Sequence, residues 1–596
     1  MIAPVLNQIR LEKGKVKMTD KEKKQIPKHL QPYISTQYYH HYTPIDHAVW
    51  RFVMKQNHYF LKDIAHPAYV NGLIDSGIKT DRVPRVEDMN TSLAKIGWGA
   101  VTIDGLIPGS AFYGFLANGI LPIATEIRNI QNIAYTPAPD MLHEAAGHAP
   151  ILLDETYRDF VRKIGEMGAK ALSSKEKLEV FKAVRHLTII AEDPDSTPEQ
   201  VQEAERQVVE ARSRVKGLSE ADKVSRLFWW TVEYGLIGDV NNPKIYGAGL
   251  LSSVGESQSC LKPDVKKIPF SVEECINTPY DVTKPQPQLF VCKSFDDLVE
   301  KIEQFASTMA FRKGGTESLD QALESNSVAT MVLSSGLQVT GTLTAILKDE
   351  NAEAIYVRTK GPTALSYDHK QLKDQGTDIH RKGFGTPIGK LKGGLEIEAC
   401  SAKQLQALGI KEGNNVLLNF QNGVTVEGLV KNILFYGEKP ILISFSNCQV
   451  TYKNIVLFEP SWGIFDMAVG ARITSVFAGA ADPNHYYDSL STNDESMEEV
   501  EQQCLTELEN LYAEIRDLRE GQWEQTNFMH LDRILAILDQ KYPNEWLLRI
   551  EILELYKIGQ SIHRNVNVIL NKLKNTNWDP SVKQMIDRGI ALIEQI

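Results

Sequence analysis

"YTPAPDMLHEAAGHAP", Tyr135 to Pro150, is the stretch on which the reading of this chain turns. It holds His143, Glu144 and His148 as H-E-x-x-x-H, at what reads as the start of a helix. The zinc-protease template H-E-x-x-H sets its histidines four apart on one helix face, with the glutamate as general base. Here the spacing is five. On a regular helix at about 100° per residue, five steps leave two side chains roughly 140° apart. The imidazoles can converge on one metal only where the helix is distorted, by a π-bulge or an irregular first turn. Pro139 and Asp140 stand just ahead, where an irregular start is natural, and Gly147 adds local freedom. The spacing argues against a protease and asks for a third ligand from elsewhere.

Glu233, in "FWWTVEYGLIGD", is the candidate. It is an acid inside an aromatic and aliphatic run, where a buried carboxylate is costly unless paired or bound to a metal. Two imidazoles and one carboxylate on one face of a metal form the triad of non-haem Fe(II) oxygenases, which leaves positions open for O₂ and substrate. Zinc with the same ligand set stays open as an alternative, as a zinc-dependent hydrolase using Glu144.

Several ordered blocks carry a resemblance. They are "QPYISTQYYHHYTPIDHAVWR", "KIGWGAVTIDGLIPGSAFYGFLANGILPIATEIR", "YTPAPDMLHEAAGHAP", "FWWTVEYGL" and "YGAGLLSSVGE". Together they resemble the pterin-dependent aromatic amino acid hydroxylases over residues 31 to about 315, and the bacterial members most closely. The resemblance implies a mainly α catalytic domain of that type. It also implies a monooxygenase using Fe(II), O₂ and a tetrahydropterin to hydroxylate the ring of a free aromatic amino acid.

Carried over position by position, His143, His148 and Glu233 correspond to the iron ligands. Arg128 corresponds to the arginine that grips the substrate carboxylate, with Asp140 holding it in place. Thr136 and Ser252 match polar groups near the amino-acid end of the substrate, and Ser252 also orients His143. Pro139 and Trp229 wall the substrate ring. Phe112 matches the residue on which the pterin stacks, and Glu144 the glutamate reached by the pterin through water. Val282, in "YDVTKPQPQLF", falls where the phenylalanine hydroxylases carry valine. An apolar residue there suits a ring without a hydroxyl, which favours L-phenylalanine as substrate and L-tyrosine as product; tryptophan or tyrosine hydroxylation is the alternative within the family. Phe228 stands where the family often has tyrosine, and Ala138 where animal members have glutamate.

The rest of the 596 residues is expected to form further domains, since roughly 150 residues per domain is usual. The expected divisions are a flexible segment 1–30, the catalytic domain 31–315 with a helical insertion at 171–222, a β-rich domain at 326–475 and a helical domain at 494–596. The insertion reads as a polar surface hairpin broken at "DPDSTP". In the β-rich part "GLQVTGTL" (336–343) parallels "GVTVEGLV" (423–430), and "AIYV" (354–357) parallels "ILIS" (441–444) at the same offset. Both point to a duplicated small unit, packed as a barrel or sandwich pair. Near the end, Cys504, Leu508, Leu511, Ile515 and Leu518 recur every three or four residues. Such a stripe serves a helical bundle or, as the sharper reading, self-association. A scaffold whose business end is this tail is the non-enzymatic alternative. A chain cut back by removing 316–596 is expected to keep ring hydroxylation if it stays soluble.

Composition narrows the partners. With 65 basic and 76 acidic residues the net charge is −11, which disfavours nucleic acid. No apolar run near 18 residues occurs, so no membrane span is expected. The six cysteines are scattered with no CxxC pair, and the N-terminus lacks a signal-peptide pattern. A cytoplasmic protein is expected, starting at Met1 or Met18.

Overall fold

Thr43 opens the first long helix, α1 (Pro44–Leu61). Its hydroxyl accepts from the Asp46 N–H, the Asp46 carboxylate accepts from the Thr43 N–H, and Pro44 supplies the first helical φ. The protein is seen here in a computed structural model describing residues 26–105, 107–133, 139–192, 197–282, 284–488, 505–521, 526–559 and 564–595. Most of the expected 1–30 segment, Thr136, Ala138 and Cys504 therefore lie outside the described residues.

Helix α1 is buried on nearly every side. Val49, Trp50 and Val53 are fully enclosed, and so is Arg51. The chain continues through α2 (Gly109–Ala117), α3 (Glu155–Lys170), α4 (Lys175–Glu192), α5 (Pro198–Ser213), α6 (Glu220–Phe228) and the short α7 (Ala248–Ser252), the last of which packs on α1. Two parallel strands, β1 (Gly99–Ile103) and β2 (Ile120–Ala124), flank α2. A four-stranded sheet of β3 (Leu236–Asp239), β4 (Asn242–Ile245), β5 (Lys266–Pro269) and β6 (Gln288–Cys292) has the order β4-β3-β6-β5. Helices α4 and α5 form the insertion's hairpin. On α5, Ala204, Val208 and Ala211 form a buried stripe at helical spacing, and its other face carries exposed ion pairs such as Arg206–Glu203.

After α8 (Gly315–Ser325) come two bulged sheets. The first holds β7 (Val328–Leu333), β8 (Leu337–Lys348), β9 (Ala354–Tyr367), β10 (Lys370–Gln371) and β11 (Gly385–Pro387). The second holds β12 (Asn415–Asn419), β13 (Val424–Tyr436), β14 (Lys439–Tyr452), β15 (Ile455–Phe458) and β16 (Phe465–Ala468), and β17 (Ile473–Ala478) returns to pair with β7. The copies share more than strand order. The β8–β9 pairing slips after Thr340, Leu343 and Leu347; the β13–β14 pairing slips after Glu427, Val430 and Leu434, each 87 residues later. Bulges are specific local features, so three at one offset are strong internal symmetry. Gly341 and Gly428 sit in the first slip of each copy, and a Cβ on Gly341 would meet Thr363 Oγ1 at 2.7 Å.

The contacts between the copies are reciprocal too. Ser334 N–H donates to the Arg472 carbonyl and Gln421 N–H to the Lys390 carbonyl, both at 2.9 Å, and Gly389 N–H meets the Gly470 carbonyl at 3.2 Å. Each copy thus bonds its first turn to the segment following the last strand of the other. Among the described residues the hydrogen-bonded strand order of each sheet is an open path.

The terminal helices are α9 (Glu507–Glu520), α10 (Asn527–Lys541), α11 (Leu547–Ile558), α12 (Arg564–Asn575) and α13 (Pro580–Ile593). They do not form a core of their own. Leu511, Ile515, Leu548, Ile552 and Ile586 belong to one continuous apolar cluster with Val49, Phe52 and Val53 of α1. The stripe on α9 is therefore covered by its own chain. Arg51 donates to Glu551 through Nε (2.8 Å) and Nη2 (2.7 Å) and to the Asp81 carbonyl through Nη1 (2.9 Å). This buried, bidentate pair joins helices some 500 positions apart. Removing 316–596 would uncover α1 and leave Arg51 without its counter-charge, so the truncated chain would lose part of its core.

Candidate functional site

His143–His148 is a π-helical segment. Its signature is the Ala149 N–H donating to Glu144 C=O, five residues back. Five-residue spacing and i→i+5 bonding are one fact: residues that a regular helix would splay apart come onto one face. Asp140 starts the segment, its Oδ1 accepting from the His143 N–H at 2.9 Å. Gly147 lets the segment touch α7, since a Cβ there would lie 2.7 Å from the Ala248 carbonyl oxygen.

A second π-helical segment, Trp229–Glu233, follows α6 and ends with Tyr234 N–H donating to Trp229 C=O at 2.9 Å. It delivers Glu233 to the histidines. Glu233 Oε2 lies 3.1 Å from His143 Nε2, Glu233 Oε1 lies 3.2 Å from His148 Nε2, and the two Nε2 atoms are 3.2 Å apart. The two Nε2 atoms and both Glu233 oxygens thus converge within a few ångströms of one another. Two imidazole nitrogens and a carboxylate facing one point is a donor set that fits a divalent transition metal. Burial works to raise the Glu233 carboxyl; the neighbouring His148 and His143 outweigh it and hold Glu233 well below the usual carboxylate range.

Glu144 competes for the same place. His143, Glu144 and His148 themselves form a compact group of donor atoms. Yet Glu144 Oε2 reaches only His148, at 3.7 Å, and has no hydrogen-bond partner among the described residues, whereas Glu233 contacts both rings. Burial pushes the Glu144 carboxyl up to about 8. Glu233 is the better third ligand on distance and on charge.

His143 Nδ1 lies 3.0 Å from Ser252 Oγ on α7, which in turn donates to Ala248 C=O. Arg128 and Asp140 form a buried fork, with Nε to Oδ2 and Nη2 to Oδ1 both at 2.8 Å. The Arg128 backbone N–H adds a third bond to Oδ2. Burial would raise the Asp140 carboxyl, but Arg128 reverses this and holds it low. Arg128 Nη1 reaches toward Ser252 C=O at 3.4 Å. Of five guanidinium N–H groups, two remain that no described residue takes.

These groups face a cavity of about 240 Å³. Phe112, Arg128, Pro139, His143, Glu233 and Ser252 line it, and Val282 sits at its rim with 40% of its surface exposed. Trp229 lines it too, but not alone. It stacks on Tyr280 (4.3 Å, 12°) and on Tyr234 (4.6 Å, 27°), so this wall is a stack of three rings. Phe112 meets Phe228 edge-on at 5.5 Å.

Tyr234, Tyr280, Ser225, Ser253 and Glu256 line the cavity without having been singled out from the sequence. Glu256 was within reach of the argument used for Glu233: it is the one acid of "YGAGLLSSVGE". It accepts from the Tyr234 hydroxyl (3.1 Å) and the Gln286 N–H (3.3 Å), and burial raises it to about 7.

Comparisons with known proteins concern the first half of the chain. Residues 19–190 and 211–330 match the family described as biopterin-dependent aromatic amino acid hydroxylase. The gap falls in the insertion hairpin, and 331–596 lies outside the family region. Phenylalanine-4-hydroxylase of Mesorhizobium japonicum is 29% identical over 277 residues, 46% of this chain and 84% of its own length. The enzyme of Rattus norvegicus is 30% identical over 234 residues, 39% of this chain and 42% of its own length. Among solved structures, Chromobacterium violaceum phenylalanine hydroxylase with bound iron(III) and 7,8-dihydrobiopterin is 25% identical, covers 49% of this chain and 92% of its own, and has a TM-score of 0.37. Among the described residues no helix is long and apolar enough to cross a membrane.

Proposed function

Residues 19–190 and 211–330 of this chain belong to the biopterin-dependent aromatic amino acid hydroxylases, and from that premise we propose that the protein converts free L-phenylalanine to L-tyrosine. Iron would be held by His143, His148 and Glu233. When bound, iron and a tetrahydropterin would supply the activation of O₂ and the two electrons the hydroxylation requires.

The protein's own contribution is positioning. The two uncommitted N–H groups of Arg128 take the carboxylate of the amino acid, and Asp140 holds the guanidinium in plane for that bidentate contact. Ser252 fixes the ring orientation of His143 through Nδ1, which leaves Nε2 for the metal. Pro139 and the Tyr234–Trp229–Tyr280 stack enclose the aromatic ring, and Phe112 offers a face to the pterin. Thr136 belongs to the amino-acid end by sequence correspondence, and Glu144 to the pterin side. The side chain of Val282 is apolar, which favours a ring without a hydroxyl.

The observation that carries this reading is that His143 and Glu233 of the donor cluster and Arg128, held by Asp140, line one 240 Å³ cavity. The test is a competition assay with phenylalanine, tryptophan and tyrosine, using protein loaded with Fe(II), a tetrahydropterin and O₂. Tyrosine formed from phenylalanine should dominate. Preferred hydroxylation of tryptophan or tyrosine would overturn the substrate assignment. Hydrolytic activity with zinc and no pterin oxidation would overturn the hydroxylase reading.

A further inference from the structure

Arg588, on α13 of the tail, is only 9% exposed and has no carboxylate partner among the described residues. Its Nη1 donates to the Val254 carbonyl at 2.7 Å. Val254 lies two residues beyond α7, in the segment that serves the cavity.

That segment is held from three sides. The Leu251 carbonyl accepts from Asn57 Nδ2 of α1 at 2.9 Å. The Ser252 carbonyl faces Arg128 Nη1. The Val254 carbonyl accepts from Arg588. The same four residues present Ser252 Oγ to His143 and place Ser253 on the cavity wall. A buried guanidinium without a counter-ion is costly, and an aliphatic side chain of similar size would fill the space at lower cost. Its directional bond to a backbone carbonyl is what an aliphatic residue cannot replace.

We propose that Arg588 is a positioning residue for the hydroxylation site: helix α13 latches the 251–254 segment and so sets Ser252 against His143 and Arg128. The inference rests on the reading of that site given above. The helical tail then acts in cis as part of the catalytic unit. An outer partner of this kind changes activity by roughly 10-fold or more when removed.

The test uses the full chain with Arg588→Met, Arg588→Lys and a control, Ile593→Ala, which removes buried apolar surface from the same helix. Two readouts are taken: hydrogen exchange of amides 248–256 in metal-free protein, and KM, kcat and tyrosine formed per pterin oxidised in iron-loaded protein. Arg588→Met should speed exchange at 248–256, raise KM for phenylalanine roughly 10-fold and lower the tyrosine yield per pterin. Arg588→Lys should recover part of each. Ile593→Ala should lower Tm and leave exchange at 248–256, KM and yield at wild-type values. If Arg588→Met does not fold, Arg588→Lys carries the test, with intermediate values of all three. Arg588 variants that lose only Tm, with exchange and KM unchanged, would overturn the latch. Because exchange is read without metal or substrate, it judges the latch even if the wild-type protein hydroxylates no aromatic amino acid.

Discussion

Gly147 and Ala248 meet backbone to backbone: a Cβ on Gly147 would sit 2.7 Å from the Ala248 carbonyl oxygen. This contact presses the π-helical histidine segment onto α7, which carries Ser252. Replacing Gly147 with alanine should force the two apart by several tenths of an ångström. The expected cost is about 1–3 kcal/mol of stability, from overpacking. Iron affinity should fall roughly 10- to 100-fold as Ser252 leaves His143. Iron titration and thermal unfolding of Gly147→Ala would check both.

Asp140 and Arg128 act as one unit. Asp140→Asn keeps the shape and removes the charge, leaving a buried guanidinium unpaired, which costs on the order of 3–5 kcal/mol. KM for the amino acid should rise far more than kcat falls, and Arg128→Lys should do the same because an ammonium cannot make the fork. Steady-state kinetics of the two variants separates KM from kcat.

The tail's docking should be sensitive to acid. Burial would raise the Glu551 carboxyl, but Arg51 and Arg519 outweigh it and hold it below its ordinary 4.5. A carboxyl with a depressed folded-state pKa contributes stability above its unfolded value, and loses it as pH falls through the folded one. Thermal unfolding from pH 7 downward should show wild type losing stability below about pH 4.5. Glu551→Gln should be less stable at pH 7, with a flatter acid limb.

Glu256 has the opposite sign. Burial raises it to about 7, so its neutral form is the better tolerated one in the folded protein. Its contribution is full below the unfolded carboxyl value and is lost as pH rises through about 7. This part of the Tm of wild type should drift down from about pH 5 to pH 7 and level off above. Glu256→Gln should remove that part of the drift.

Parts of this were legible in the sequence for physical reasons. A five-residue histidine spacing asks for a distorted helix, by a π-bulge or an irregular first turn, and the structure has the π-helical form at His143–His148. Glu233 stood out as an acid in an apolar run. The β duplication was visible in the short repeats, but its clearest mark, the bulges at one 87-residue offset, is a property of strand pairing. Docking of the tail was not legible. A helix stripe shows that one face is buried, not by what, and Arg51 and Glu551 are joined by tertiary packing alone. Tyr280 and Tyr234 were missed because stacking on Trp229 has no sequence period.

The most direct measurement is the iron content of wild type, Glu233→Gln and Glu144→Gln after anaerobic loading with Fe(II). Glu233→Gln should lose most of its iron, and Glu144→Gln should bind iron like wild type, since Glu233 contacts both histidines and Glu144 only one. Retention of iron by Glu233→Gln together with its loss from Glu144→Gln would contradict the assignment of the centre to His143, His148 and Glu233.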